Sequence, residues 1–489
     1  MANIAKAGEG SQVTEGLFEK LITNTGRIIS RLSPLKFFII TASIFGIAFL
    51  LITPPFQTPD EDVHFYRTYQ LSQFNFIVDP INGGGYGGVL PSSLGRTILL
   101  TTTKPTISFN DNVKYSERKT LDALKIPLNP RQTSTYNFAS TGGYSPIAYI
   151  PQVAGMLIGR LLSLPPIILM YLARFGNLCA WIILIGLSIR LIPQKKWVMV
   201  FIGLLPMALF QAVSESADIM AIGLAAVFFT YILYLIDKNK VITYKKLLIL
   251  LITGMALVLT KEIMFVFLFL LLLLPWRLFE SKKRAFMLKT VLILIPIMLF
   301  FIWTYITRHI VTAAAVESGV NPREQMKFLL RSPYSFINVL WNTYFFTWGD
   351  NTTRSLIGSF GWDDAPLAAW IVVVGYIGYL FTCIVSTGGR LKAWLDKKQK
   401  TVLLLIILGY WLAVNAAIYV YYSPVGFKII YGMQGRYFIP ILFLMIPLLI
   451  GNWLKTDKRI YQRIAIYVPI FLLVASVITI YVRYFIHNV

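Results

Sequence analysis

The stretch "SPIAYIPQVAGMLIGRLLS", residues 145–163, decides how this chain folds. By hydropathy alone it is a candidate membrane crossing. If it crossed, the loop carrying Arg190, Lys195 and Lys196 would lie outside the cell, and every later loop would be inverted with it. If it lies along the outer surface, the basic loops all fall on one side. Cytoplasmic loops of membrane proteins carry an excess of Lys and Arg. We therefore read 145–163 as a helix parallel to the membrane.

Working outward, the first span is about 37–53, and after 145–163 the second is about 167–189. Further spans follow at 197–213, 219–236, a pair sharing 247–276, then 288–307, 367–387, 402–421, 437–453 and 464–485. That makes 11 in all. The five basic clusters between spans then face the cytoplasm, with the N-terminus inside and the C-terminus outside. Residues 1–36 read as an amphipathic cytoplasmic segment, and 37–489 as one transmembrane domain. The large external loops are 54–166 and 308–366. Within the first, "NGGGYGG" at 82–88 reads as a flexible loop.

Composition agrees with this class. Of 489 residues, 56% are hydrophobic and only 14% charged, against about 25% charged in soluble domains. The apolar runs are continuous, which favours helices over a barrel. The fold class is thus an all-α polytopic membrane protein. The net charge of +23 comes in loop-sized groups and does not point to nucleic acid. Cys179 and Cys383 fall inside apolar segments and read as buried thiols. The sequence has no HExxH, no Cys/His metal spacing, no Walker loop and no GxGxxG.

The first span ends in "PPFQTPDEDVHFYRTYQLSQ", residues 54–73. Thr58-Pro59-Asp60-Glu61 has the form of a capping box with Pro at the first helical position. It predicts a helix over about 58–73, with Glu61 reaching back to Thr58. Asp60, His64, Arg67 and Thr68 stand at i, i+4, i+7 and i+8, on one side of that helix. A carboxylate, an imidazole and a guanidinium at a membrane surface suit a general base with charged helpers. Other polar clusters fall at the same ends of spans. They are Ser214, Glu215, Ser216 and Asp218; Asp350, Asn351, Arg354, Ser355, Asp363 and Asp364; and Gln434 with Arg436. Lys261 and Glu262 interrupt 247–276 near its middle, leaving arms that look short for a bilayer. They read as a snorkelling pair or as the mark of a functional cavity.

The motifs "PPFQTPDEDVHFYRTYQLS", "YSPIAYIPQVAGMLIGRLL", "LPMALFQAVSESAD", "GDNTTRSLIGSFGW" and "QGRYFIPIL" carry a resemblance. The chain resembles a bacterial family of multi-span proteins of unassigned function, grouped with the GT-C glycosyltransferases. The resemblance implies two membrane-parallel helices in the first external loop, here about 58–73 and 145–163, the first bearing an acidic catalytic residue. That residue lands on Asp60 or Glu61. The implied activity is transfer of a sugar from a polyprenyl-phosphate carrier to an extracytoplasmic acceptor, a surface glycan, lipid or protein, in a bacterial cell membrane. Arg436 is the first choice to hold the lipid phosphate. His64, Arg67, Lys261, Asp350, Asn351, Arg354 and Gln434 complete the candidate binding set. No metal or other cofactor is expected. The competing classes are a flippase or transporter, and a polymerase or ligase, of lipid-linked glycans.

Overall fold

A computed structural model describes residues 32–486 apart from 83, 103–105, 111, 318–319, 348, 388–393 and 451–453. The expected amphipathic segment at the N-terminus lies almost wholly outside the described residues, as does Lys104. The chain is mostly helical. Among the described residues, six helices are long and apolar enough to cross a membrane. They are α1 (Pro34–Ile52), α4 (Pro166–Leu191), α7 (Asp218–Lys238), α9 (Lys282–Glu317, apolar to Val311), α14 (Lys397–Tyr422) and α16 (Lys458–Phe485). Between them lie α2 (Glu61–Ser72), α3 (Ile150–Leu161), α5 (Lys196–Gly203), α6 (Pro206–Ala212), α8 (Tyr244–Thr260), α10 (Pro322–Arg331), α11 (Pro333–Trp341), α12 (Gly349–Ile357), α13 (Ala369–Ile384) and α15 (Ile439–Leu449). A 3-10 helix, Glu262–Leu273, follows α8.

Several sequence expectations are refined. The run 197–213 is not one helix. It breaks between α5 and α6, where Pro206 has no N–H to continue the ladder. The 145–163 stretch is a short 3-10 turn, Pro146–Tyr149, leading into α3. At 12 residues, α3 is about 18 Å long, well short of a hydrocarbon core of about 30 Å. The "NGGGYGG" tract is not a loose loop throughout. Its last three residues begin strand β2 (Tyr86–Pro91), which pairs antiparallel with β1 (Asp79–Pro80) and β3 (Thr133–Asn137) in register Gly87↔Asn137 to Pro91↔Thr133. A Cβ at Gly87 would sit 1.8 Å from the Tyr136 carbonyl oxygen, so only glycine lets the strands approach.

Side-chain and backbone contacts sort the loops into two ends. Lys195 Nζ reaches the carbonyl of Thr382, at 3.2 Å. Val385–Ser386 pairs with Leu454–Lys455. Ile242 N donates to Leu278 O at 2.8 Å, and Gln399 Nε2 to Leu273 O at 2.6 Å. These bonds gather the basic loops at one end. At the other end, Arg483 of α16 binds Asp364 and the carbonyls of Ile107, Asn110 and Val113. Ser145 Oγ donates to Leu259 O at 2.6 Å, and Trp303 Nε1 to Gly143 O at 2.7 Å. The acidic and polar clusters singled out in the sequence lie at this end. The large core between the two ends is built from α1, α4–α9 and α13–α16.

Helix α3 is seated on α4 backbone to backbone. A Cβ at Gly155 would stand 2.1 Å from Leu172 O, and one at Gly176 would stand 2.2 Å from Pro151 O. Gly155 and Gly159 have the spacing of small-residue helix contacts in membranes. We predict that Gly155→Leu or Gly176→Leu destabilises the purified protein by about 3 kcal/mol or more, because backbone must move. Gly409→Ala, whose Cβ meets nothing nearer than 3.9 Å, should be neutral or stabilising. Thermal unfolding in detergent checks both; equal melting temperatures across the set would count against the packing described.

Candidate functional site

The site begins with an arginine inside a span. Arg174 lies in α4 and is fully buried. Its Nε and one terminal nitrogen donate to the two Glu61 oxygens, at 2.8 and 2.5 Å. Its remaining N–H groups reach Thr53 O at 2.9 Å and Pro54 O at 3.1 Å. The backbone N–H of Glu215 also donates to Glu61 Oε1, at 3.3 Å. Glu61 is therefore held between α1, α4 and the turn before α7. The capping-box expectation is corrected accordingly. Helix α2 starts at Glu61, not Pro59, and Thr58 Oγ1 is buried with no hydrogen bond. The Glu61 carboxylate cannot reach back to Thr58 because Arg174 takes both its oxygens.

Asp60 becomes the N-cap of α2, with left-handed backbone at φ +59 and an exposed side chain. That conformation costs a non-glycine residue roughly 1 kcal/mol, less for Asp than for most. One helical turn on, His64 is buried. Its Nδ1 lies 2.7 Å from Tyr149 OH, and its ring stacks on Tyr144 with centroids 6.1 Å apart. Burial pushes the imidazole down to about 4. The charges of Asp60 and Asp218 oppose that shift, and those of Lys261 and Arg436 add to it. His64 is thus neutral at pH 7.

Three of those charges, Asp218, Lys261 and Arg436, line a cavity of about 260 Å³. Asp218, the first residue of α7, receives the ammonium of Lys261 and, at 3.5 Å, Nε of Arg436. Lys261 sits where α8 gives way to the 3-10 helix, with extended backbone (φ −148, ψ 139). Its partner is Asp218 on another helix and not Glu262, so of the two readings of Lys261 and Glu262 the snorkelling pair is not seen, and both residues line the cavity. Lys261 and Arg436 also lie over the Tyr437 ring, at 5.0 and 5.4 Å from its centroid. Glu262, Tyr144 and Tyr422 line the same cavity. Much of the remaining wall is apolar, with Ile222, Leu259, Met264, Phe300, Val414 and Pro440. Asp60 is not part of the wall, but its charge acts on His64, Tyr144, Tyr422 and Arg436.

The other expected residues divide. Arg67 shares a helix with His64 but is fully buried elsewhere. It donates to Gln70 Oε1 at 2.5 Å and to Phe76 O at 2.7 Å, so the expected single stripe of Asp60, His64 and Arg67 is corrected. Asn351 and Arg354 lie on α12, which touches the turn carrying Arg436. A Cβ at Gly435 would stand 2.1 Å from Thr352 O. Asn351 helps hold Asp363, whose carboxyl is raised by burial and drawn back down by Arg436, Asn351 and Ser359. Asp350 is on α12, but its side chain lies outside the described residues. Gln434 caps the Gly435–Phe438 turn, and its Oε1 is buried without a partner. Sequence reasoning missed Arg174, whose signal was a lone arginine within the apolar run "YLARFGNLC" at 171–179. It also passed over Tyr144, Tyr149 and Tyr437, which no local pattern marks. Among the described residues no His, Cys, Asp or Glu group stands together in a way that could hold a metal ion.

A bundle of apolar helices with a charged, aromatic-walled cavity at one end defines a multi-span helical membrane protein. The chain belongs to the family described as predicted membrane protein DUF2142, whose model matches residues 43–445. No curated protein and no solved structure matches it.

Two outcomes follow. Removing one partner of a buried ion pair typically costs about 3–5 kcal/mol. Glu61→Gln should therefore destabilise on that scale, whereas Asp60→Asn should leave the melting temperature unchanged. A Glu61→Gln/Arg174→Met double variant should recover part of the loss in thermal unfolding. For His64, the unfolded chain holds a proton between pH 6.5 and about 4 that the folded chain lacks. Stability should fall as pH falls through that window, and less steeply in His64→Gln. Parallel pH profiles of the two proteins would refute the neutral, buried assignment.

Proposed function

We propose that the protein is a membrane glycosyltransferase. It transfers a sugar from a polyprenyl-phosphate carrier to an acceptor outside the cytoplasm of a bacterial cell. In this reading the chain crosses the membrane eleven times, with the 3-10 helix Glu262–Leu273, α13, α15, the α5–α6 pair and α8 crossing beside the six long helices. The N-terminus and the basic loops are cytoplasmic, by the excess of Lys and Arg. The observation that carries the reading is the pairing of two cations with apolar walls in one cavity, beside an exposed carboxylate. A lipid phosphate needs that combination, a charged head site opening onto a space for its chain.

The chemistry divides among residues already described. The acceptor hydroxyl gives its proton to the Asp60 carboxylate as its oxygen bonds to the anomeric carbon. The bond from that carbon to the phosphate oxygen breaks on the opposite face, through an oxocarbenium-like state, and the configuration inverts. The electron pair leaves on phosphate, where Arg436 and Lys261 neutralise it. Asp218 keeps both cations charged and aimed at the cavity. His64 and Tyr149, neutral and mutually bonded, add no charge near Asp60 and the cations, all of which act on the imidazole. Glu61, with both oxygens on Arg174, supports Asp60 and does not share its role.

The test is transfer of radiolabelled sugar by purified protein from polyprenyl-phosphate and nucleotide donors, with and without chelator. Transfer from the lipid donor, insensitive to chelator, is expected. Asp60→Asn should abolish it without loss of fold. Arg436→Lys keeps the charge but loses the guanidinium fork, and should slow transfer at least tenfold, about 1.4 kcal/mol. Transfer from a nucleotide sugar alone would sink the reading.

A further inference from the structure

The segment 322–347 is expected from sequence to be part of an aqueous external loop, yet its exposed side is not built for water. Helix α10, helix α11 and the π-helical turn Asn342–Thr347 follow one another with a single break at Ser332. One side of this run is bonded to the protein. Gln325 Nε2 donates to Tyr419 O at 3.4 Å, and Gln325 Oε1 accepts from Gly426 N at 2.8 Å. Phe336 lies against the Tyr419 ring, with centroids 5.6 Å apart. Thr343 Oγ1 accepts from Ile430 N at 2.9 Å, and Tyr344 OH donates to Asn415 Oδ1 at 3.0 Å.

The other side carries Met326, Leu330, Tyr334, Ile337, Trp341 and Phe345, spaced by three and four residues. Leu330 is 73% exposed, Tyr334 83% and Phe345 67%. Trp341 and Phe345 stack on each other, with centroids 4.1 Å apart. Beside this row stand Arg323, Lys327 and Arg331, against the single acid Glu324 in α10. Large apolar side chains at that density in contact with water are the mark of a covered surface.

We propose that this run is an interfacial element docked into the outer leaflet of the bilayer. Its apolar row would lie among acyl chains and its cations against lipid phosphates. The chemistry selects lipid over the other occupants. The row has aliphatic Met326, Leu330 and Ile337 between its aromatics, and only the Tyr334 hydroxyl and Trp341 N–H to bond. A sugar chain would need more hydrogen-bonding partners than that. Trp and Tyr flanked by Lys and Arg is the composition of side chains at the membrane–water boundary. The neighbouring span α14 also exposes apolar side chains, among them Leu405, Leu408 and Leu412. The docked run would fix the depth of the strap 423–434, which it binds through Thr343 and Gln325 and which leads directly into Arg436. The inference stands whether or not the protein transfers sugars.

The experiment uses full-length protein with Cys179 and Cys383 replaced by Ala, reconstituted in nanodiscs containing anionic lipid. Nitroxide labels are placed singly at Ile337→Cys, Phe345→Cys and, as a water-exposed control, Lys125→Cys. Labels at 337 and 345 should collide with molecular oxygen more than with a water-soluble nickel chelate, and the label at 125 should show the reverse. Labels at 337 and 345 that match the control would overturn the proposal. So would labels shielded from both reagents, which would place a protein partner on this face.

Discussion

The Arg174–Glu61 pair is the constraint on which the acidic end of the bundle depends. An arginine inside an apolar helix costs several kcal/mol unless its donors are met. Here Nε and both terminal nitrogens are used, on Glu61 and on the Thr53 and Pro54 carbonyls just past the end of α1. The pair is weak grounds for overall stability, since apolar replacement of buried ion pairs is often neutral. Its value is positional. One guanidinium joins the end of α1, the first residue of α2 and, through Glu61, the turn before α7. Asp60 is the residue before one anchor, and Asp218 is three residues after another. Their separation across the site is set by a single rigid fork.

Asp218 plays the same part for the cations. Lys261 comes from the junction after α8 and Arg436 from the turn before α15, and Asp218 is the carboxylate that both reach. Removing Asp218 would leave two positive charges together beside the Tyr437 ring. With it, the trio carries one net positive charge, in a cavity whose wall mixes apolar side chains with tyrosines and Glu262. Charge near such walls is screened less than in water, so an anion entering the cavity meets a stronger field than the same residues would exert at a surface.

How much of this was legible follows the range of each signal. Basic loops are read one at a time, and they sorted the two ends as the contacts sort them. Loop charge kept 145–163 out of the set of expected spans, and the α-helix found there has only 12 residues. Local grammar failed where a distant group intervened. "TPDE" has the form of a capping box, but Arg174, 113 residues away, takes the glutamate and moves the helix start to Glu61. The Asp60–His64–Arg67 stripe obeyed helical spacing, yet Arg67 was drawn off by the Phe76 carbonyl. Tyr144, Tyr149 and Tyr437 had no chance of being seen, because single tyrosines carry no spacing.

The arms around Lys261 show how backbone form sets a length that residue count alone misjudges. Counted from 247 to 276 at α-helical rise, each arm reaches only about 20 Å. Helix α8 in fact begins earlier, at Tyr244, and its 17 residues span about 25 Å. The returning arm is a 3-10 helix of 12 residues, which at a rise of about 2 Å per residue spans about 24 Å, where an α-helix would span about 18 Å. A 3-10 run this long is unusual, since its hydrogen bonds are poorer. Here Phe267, Leu268, Leu270 and Leu271 are fully buried, so neighbouring helices hold what local bonding does not. The stretched arm brings the α8 junction level with the first residue of α7, which is where Lys261 meets Asp218. The depth of the ammonium is therefore a property of how the following twelve residues are wound.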